Sequence, residues 1–418
     1  MPSRPERERR RAATRAGRWL IALTVVVAAV AVTAGFALFD SREEQAEAAP
    51  RLAWFYRPPS DGTEVATIAS RHAELILTGR SDVAYKNQLR AAGWRGDVWL
   101  YVEQPFTAAP LDGPCGTFHD RWQLWDNQVA WDHRPGVAGS NDFCRLVHPH
   151  EDWILHWPDG ERVVRRYGDQ LQYFMNPGAP KWREFFARRV ESALERWNYD
   201  AVFLDDLWSA TERHGTFREY ASDKAYEQAV IGFIEHLRKR IPGVPIIGNA
   251  ERPEVYSPVL DGWFYEAFAG HWSNELQPAD AIVDLWELAE RDVEDEKDVF
   301  LVAQGERDDT ARLSFAYAAY LMVAHPRVSF RYSHVDRYRE LWDYPLYRLE
   351  LGRPTAERRA VGEGVWRRDF ESGTALVNLS DAAAEVDLGR AYVAESGERV
   401  QVLTLPAKSG AVLRSPEA

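Results

Sequence analysis

The sequence predicts an α/β chain: a (β/α)8 TIM barrel with an N-terminal transmembrane helix before it and a small C-terminal antiparallel β-domain after it. Three observations predict this. Between residues 51 and 354, short apolar runs rich in Val, Ile, Phe, Tyr and Trp alternate with longer amphipathic stretches, and eight such runs can be counted. The first run is followed by Arg57-Pro58-Pro59, not by the Gly-rich turn of an open doubly wound sheet. After about residue 355 the helical period disappears and only short strand-like runs with turns remain.

The N-terminus reads as an address. Residues 1–18 form a basic tail with seven Arg and two Glu, and residues 19–39 carry no charge. About 20 apolar residues suffice to cross a bilayer. The arginines hold their end in the cytoplasm and send the rest of the chain outside. Two readings compete. One is an uncleaved single-pass anchor in the lipid bilayer of the cell membrane, favoured because the apolar stretch exceeds the roughly 7–15 residues of a signal-peptide core. The other is a signal peptide cut near Ala46-Glu47-Ala48, which yields a secreted protein. Residues 40–50 read as a linker.

The barrel, residues 51–354, takes its strands from Leu52–Tyr56, Glu74–Thr78, Val98–Glu103, Ala201–Asp205, Pro245–Asn249, Gly262–Glu266, Val299–Gln304 and Val328–Tyr332. The clearest helices are Lys181–Trp197, Lys224–Arg240, Ala279–Asp292 and Thr310–Ala324. A long insertion, residues 104–170, follows the third strand, and loops of this length on a barrel are usually functional. Gln172–Met175 is a further possible strand; if it joins the barrel, the strand count shifts by one. Residues 355–418 form the β-domain, with strands at Val365–Asp369, Thr374–Asn378, Ala384–Leu388, Val400–Leu405 and Ala411–Leu413.

Composition narrows the function. A net charge of -13 argues against nucleic acid as a partner, because phosphate contacts need clustered Lys and Arg. The 17 Trp suit core packing or a cleft for flat, partly apolar ligands. Cys115 and Cys144 both lie in the insertion. A disulfide closing that loop is the simpler reading outside the membrane. The C-x3-H units Cys115…His119 and Cys144…His148 leave a Cys2His2 zinc site as the alternative, though their spacing is not that of a common zinc module. H-E-x-x-H, P-loop, EF-hand and G-x-S-x-G motifs do not occur.

Barrel active sites sit at the C-terminal strand ends. The polar residues there are Tyr56 and Arg57, Glu103, Asp205 and Asp206, Asn249 with Glu251, Glu266, Gln304 and Arg331. Such an acidic mouth, with no evident Ser or Cys nucleophile, suits glycoside cleavage, where one carboxylic acid protonates the leaving oxygen and a second carboxylate attacks or activates water. The run Tyr199-Asp-Ala-Val-Phe-Leu-Asp205-Asp206 ends in two acids, and strand alternation points only one of them at the barrel axis. The competing reading makes one or both a helix cap. Gly262-Trp-Phe-Tyr-Glu266 likewise ends in an acid, or in a structural rim salt bridge. For Trp208, Trp263 and Trp272, packing competes with a place in a cleft.

These residues carry a resemblance. Ala53-Trp-Phe-Tyr56, Val98-Trp-Leu-Tyr-Val-Glu103, Phe174-Met-Asn-Pro-Gly178 before Trp182-Arg-Glu-Phe-Phe186, and Asp200-Ala-Val-Phe-Leu-Asp-Asp206 resemble glycoside-hydrolase-like family 15, a set of barrel proteins assigned as glycosidases. Trp366-Arg-Arg-Asp-Phe370, Gly373-Thr-Ala-Leu-Val-Asn378 and Leu405–Leu413 are similar to the β-domain that often follows such barrels. More distantly, the barrel is similar to the α-galactosidase clan. That likeness implies a nucleophilic Asp at the end of strand four and an acid/base at the end of strand six, positions held here by Asp205 and Glu266.

The expectation is therefore an extracytoplasmic glycoside hydrolase acting on a polysaccharide or oligosaccharide without a cofactor or metal. Asp205 serves as nucleophile, or as base if the enzyme inverts, and Glu266 as general acid/base. Asp206, Glu103, Asn249, Tyr56, Arg331, Gln304 and Trp208 hold substrate. Two alternatives remain open: a non-catalytic carbohydrate-binding or envelope scaffold on the same barrel, and a zinc-dependent hydrolase using the Cys/His insertion.

Overall fold

The computed structural model describes residues 51–78, 82–103, 106–110, 150–167, 170–208, 216–273 and 275–416. The basic tail, the apolar segment 19–39, the linker, Cys115, Cys144 and most of the insertion lie outside the described residues. Among the described residues no helix is long and apolar enough to cross a membrane.

Three strands open the chain: β1 (Ala53–Phe55), β2 (Glu74–Thr78) and β3 (Val98–Glu103), with helices α1 (Val65–Arg71) and α2 (Val83–Ala91) between them. The insertion then contributes β4 (Phe106–Pro110), β5 (Val164–Tyr167) and β6 (Gln170–Phe174), which pair antiparallel in the order β4-β6-β5. This corrects the open strand count: the Gln172 run is an insertion strand and leaves the barrel numbering unchanged. Helix α3 (Pro180–Trp197) leads to β7 (Ala201–Leu207), α4 (Asp223–Arg240), β8 (Ile246–Ala250), the one-turn α5 (Pro253–Tyr256), β9 (Gly262–Tyr265), α6 (Ala279–Glu294), β10 (Asp298–Gln304), α7 (Thr310–Leu321) and β11 (Val328–Ser333). The eight strands β1-β2-β3-β7-β8-β9-β10-β11 form one parallel sheet in chain order. A Leu52–Phe330 bridge closes it, with Phe330 N–H donating to Arg51 O at 2.8 Å.

Local sequence explains the helix ends. Ser222 Oγ accepts from Ala225 N at the start of α4, and Asp309 Oδ1 accepts from Arg312 N at the start of α7, each worth about 1 kcal/mol. Asn198 ends α3 in the left-handed conformation, at φ 53°, that Asn tolerates. Helix α7 is buried on nearly every side because a second sheet covers its outer face. That sheet is antiparallel, in the order β12-β13-β14-β17-β15-β16, from strands Arg359–Gly362, Val365–Phe370, Gly373–Asn378, Ser409–Arg414, Ala384–Val393 and Arg399–Leu405. Strand β17 comes so close to α7 that a Cβ on Gly410 would lie 2.5 Å from Ser314 O.

Side-chain alternation sorts the barrel residues into two sets. Outward positions such as Leu75, Leu100, Val202 and Leu204 belong to one buried cluster with Phe186, Val230 and Ile234 of the helices. Inward positions Phe55, Ile76, Trp99, Phe203, Ile247, Phe264, Phe300 and Val302 fill the barrel with an unusually aromatic layer. Phe264 meets Phe55 and Phe203 edge-on at 5.0 and 5.2 Å between ring centres. This layer is the apolar floor on which the polar mouth sits.

Two tight approaches shape that mouth. Strand β7 carries one more residue than β8 between their pairings Leu204–Gly248 and Leu207–Ala250, so the chain bulges at Asp205–Asp206. Asp206 takes the left-handed conformation there, at φ 56°. A Cβ on Gly262 would lie 2.2 Å from Asp298 O, so only glycine lets β9 start this close to β10. Gly262→Ala is expected to lower stability by about 1–3 kcal/mol, read as a lower urea midpoint; an unchanged midpoint contradicts the close approach.

Candidate active site

The next inward layer above the aromatic floor is polar. Tyr101 and Glu103 continue the parity of Trp99, Asp205 that of Phe203, Asn249 that of Ile247, Glu266 that of Phe264, and Gln304 that of Val302. One period-2 pattern therefore buries the floor and raises the site.

Asn249 holds its centre. Its Nδ2 donates to Asp205 Oδ1 at 2.9 Å and to Glu266 Oε2 at 3.1 Å. Asp205 accepts twice more, from Asp206 N at 2.9 Å and, on Oδ2, from the Tyr101 hydroxyl. Glu266 Oε1 accepts from the Tyr338 hydroxyl, which reaches in from the loop after β11. Gln304 Nε2 donates to Glu266 O at 3.0 Å and to the Tyr338 oxygen at 2.6 Å.

The electrostatics follow from this crowding. Burial, and then the charge of Asp205, push Glu266 up to about 7. Burial also raises Asp205, while its hydrogen bonds from Tyr101, Asn249 and Asp206 N–H oppose the rise by stabilising the ionised form. Asp206 is pushed well above the carboxylate range by burial and by the charges of Asp205 and Glu103. The nearby Arg165 guanidinium, on β5 of the insertion, lowers both aspartates. The bulge also revises the expectation that only one of the two aspartates faces the axis. With Asp206 in the left-handed conformation the alternation is broken, and both acids join one coupled cluster of carboxyl groups with Glu103 and Glu266.

The remaining expected residues occupy different surroundings. Glu103 is buried beside Asp205 in the β3–β7 pairing. Tyr56 has a φ of 145°, which turns it out of the β1 pleat and sets its ring 5.2 Å from Tyr101. Gln304, 2% exposed, serves the two residues just named. Arg331, 7% exposed, spends its guanidinium on backbone: Nη1 donates to Phe55 O at 2.8 Å and Nη2 to Tyr338 O at 2.5 Å. Its cation lies 4.5 Å from the Trp54 and Phe55 ring centres, and burial lowers its pKa to about 10. Trp208 is buried in the outer core against Phe174, under the Arg165 guanidinium. Trp263 is buried with its indole N–H on Asp292, whereas Trp272, in the turn after Glu266, is 44% exposed. No group of His, Cys, Asp and Glu among the described residues is placed to hold a metal ion.

Sequence reasoning missed Tyr101, Tyr338 and Arg165. Tyr101 was findable, since it lies two residues before Glu103 and so shares its face. Tyr338 arrives from a loop, where no period announces a side chain's direction, and Arg165 from the four-residue strand β5 of the insertion, too short for its period to show in the sequence.

Comparison with known proteins adds the following. A stretch of 109 residues, 26% of this chain, is 28% identical to the glycosyl hydrolase YngK of Bacillus subtilis (strain 168), of which it spans 18%. The glycoside hydrolase domain of PelA from Pseudomonas aeruginosa is 13% identical, with 70% of this chain and 97% of that chain covered at a TM-score of 0.45. The maltogenic alpha-amylase AmyB of Thermotoga neapolitana is 10% identical over 87% of this chain and 95% of that one, also at 0.45. A model of hypothetical glycosyl hydrolase family 15 matches residues 125–374, which include Asp205, Asn249, Glu266, Gln304 and Tyr338. That match spans more than half of the sequence, and the chain belongs to hypothetical glycosyl hydrolase family 15.

Proposed function

We propose that this protein is a retaining glycoside hydrolase that cleaves O-glycosidic bonds of a poly- or oligosaccharide with Asp205 as nucleophile and Glu266 as general acid/base. The observation that carries the reading is the shared Asn249 amide. Two oxygens at 2.9 and 3.1 Å from one nitrogen cannot lie more than about 6 Å apart, and an amide NH2 fork sets them near about 5 Å. Retaining glycosidases hold their carboxyl groups about 5–5.5 Å apart, inverting ones roughly 6.5–9.5 Å.

The division of labour follows from the surroundings. Asp205 collects three donors, which favour the carboxylate a nucleophile needs. Glu266, raised to about 7, keeps a proton for the leaving group near neutral pH. In the first step an Asp205 oxygen bonds to the anomeric carbon as the glycosidic C–O bond breaks, and the Glu266 proton passes to the departing oxygen. In the second, Glu266 takes a proton from water, the hydroxide oxygen bonds to the anomeric carbon, and the Asp205 ester is released. Asp206 and Glu103 line the acidic side of the same mouth and hold sugar hydroxyls. Neither step calls for a cofactor. The location in this reading is extracytoplasmic, on the strength of the Arg-rich segment and the uncharged residues 19–39.

Reducing-end release from a panel of poly- and oligosaccharides tests the assignment. Glu266→Gln is expected to lose about 10²–10⁴-fold in turnover of unactivated glycosides, and Asp205→Asn at least as much, with the fold intact. Near-native turnover in either variant overturns the pair. Glycan affinity with no reducing ends from the native chain is the outcome of a non-catalytic barrel.

The pH dependence has a defined sign. Glu266 must be protonated, so kcat/KM falls as pH rises through about 7. Asp205 must be ionised, so the acid limb lies above the range of an ordinary aspartate. A profile flat from pH 6 to 9 contradicts the assignment of Glu266.

A further inference from the structure

The eighth strand and the loop that follows it contribute no acid, yet they are tied into the site by an unbroken chain of contacts. Arg331, on the inward face of β11, clamps the backbone of Phe55 on β1 and of Tyr338 in the loop, joining both sides of the seam where the barrel closes. The Tyr338 ring lies 4.7 Å from the Phe55 ring. Its hydroxyl receives a hydrogen bond from Gln304 Nε2 and donates to Glu266 Oε1. Gln304 is held in this orientation at a cost: its Nε2 serves Glu266 O and Tyr338, and its buried Oε1 has no hydrogen-bond partner among the described residues.

We infer that Tyr338 is a positioning residue for the acid/base: its hydroxyl fixes the Glu266 carboxyl and stabilises the carboxylate left after proton transfer, and Arg331 with Gln304 holds the phenol in place. Donors on both oxygens, Asn249 on Oε2 and Tyr338 on Oε1, leave the carboxyl one orientation toward the mouth. A phenol that already receives a hydrogen bond is a stronger donor, so the Gln304 contact strengthens the one to Glu266. Among the described residues, the charged and titratable groups that couple to Glu266 are Asp205 and Asp206 from β7 and Tyr338 from the loop, with Arg331 behind the phenol. Burial and then the charge of Asp205 raise Glu266, and the phenol's hydrogen bond lowers it, so Tyr338 sets how far the rise goes.

The inference rests on the proposed acid/base role of Glu266 for its consequence, but its test needs no substrate. Protein carrying 13C-carboxyl glutamate is titrated by NMR, with the Glu266 signal assigned by its loss in Glu266→Gln. Tyr338→Phe is expected to move the Glu266 midpoint upward by about one pH unit with a melting temperature close to that of the native chain. Gln304→Met, which keeps the phenol but removes its donor, is expected to move the midpoint in the same direction by less. It also serves as the second variant if Tyr338→Phe does not fold. An unmoved midpoint in a folded Tyr338→Phe protein overturns the inference, as does a downward shift. Failure of the native chain to hydrolyse any glycoside overturns the proposed function and leaves the titration result standing.

Discussion

One amide nitrogen organises this molecule. Asn249 Nδ2 lies within hydrogen-bond distance of a carboxylate oxygen from β7 and one from the end of β9. Without a donor between them, two buried carboxyl groups this close would repel and turn apart. With it, they are held at one spacing and on one side of the barrel mouth. The tyrosines complete the arrangement symmetrically, with Tyr101 on the far oxygen of Asp205 and Tyr338 on the far oxygen of Glu266.

What lies beneath makes those contacts matter. The aromatic floor of Phe55, Trp99, Phe203, Phe264 and Phe300 meets the acids from below with apolar rings. Burial is accordingly the largest cause of the shifts at Asp205, Asp206 and Glu266. The backbone cooperates through the bulge. An extra residue in β7 brings a second aspartate into the cluster, and Gly248 leaves room for Leu207 beyond it, whose Cδ1 lies 2.2 Å from where a Cβ would stand. Fold and electrostatics thus share one origin: an inward-facing pattern that is apolar in the floor and acidic in the layer above it.

Much of this was legible in the sequence, for physical reasons. A parallel barrel buries both faces of its strands, so the eight apolar runs stand out, and an acid at the end of such a run is conspicuous. Asp205 and Glu266 stand out as candidates that way, and their strands count as fourth and sixth in the folded barrel. The rest was hidden where periodicity stops. The bulge at Asp206 defeats alternation because nothing in Leu-Asp-Asp-Leu shows which residue takes a positive φ. Arg331 is polar and inward, as a substrate contact would be, yet its partners are carbonyls supplied by β1 and the following loop. Tyr338 lies 72 residues from Glu266, at the end of a single 3-10 turn (Val335–Arg337) in the loop after β11, and only the folded chain brings them together.

The measurement that tests this account most directly is the identity of the residue that becomes covalently attached to sugar. The protein would be incubated with a panel of activated 2-deoxy-2-fluoro glycosides, digested, and its peptides weighed by mass spectrometry. The account predicts a glycosyl adduct on the peptide bearing Asp205, absent in Asp205→Asn. An adduct on another carboxylate, or turnover that inverts the anomeric centre without an adduct, would contradict it.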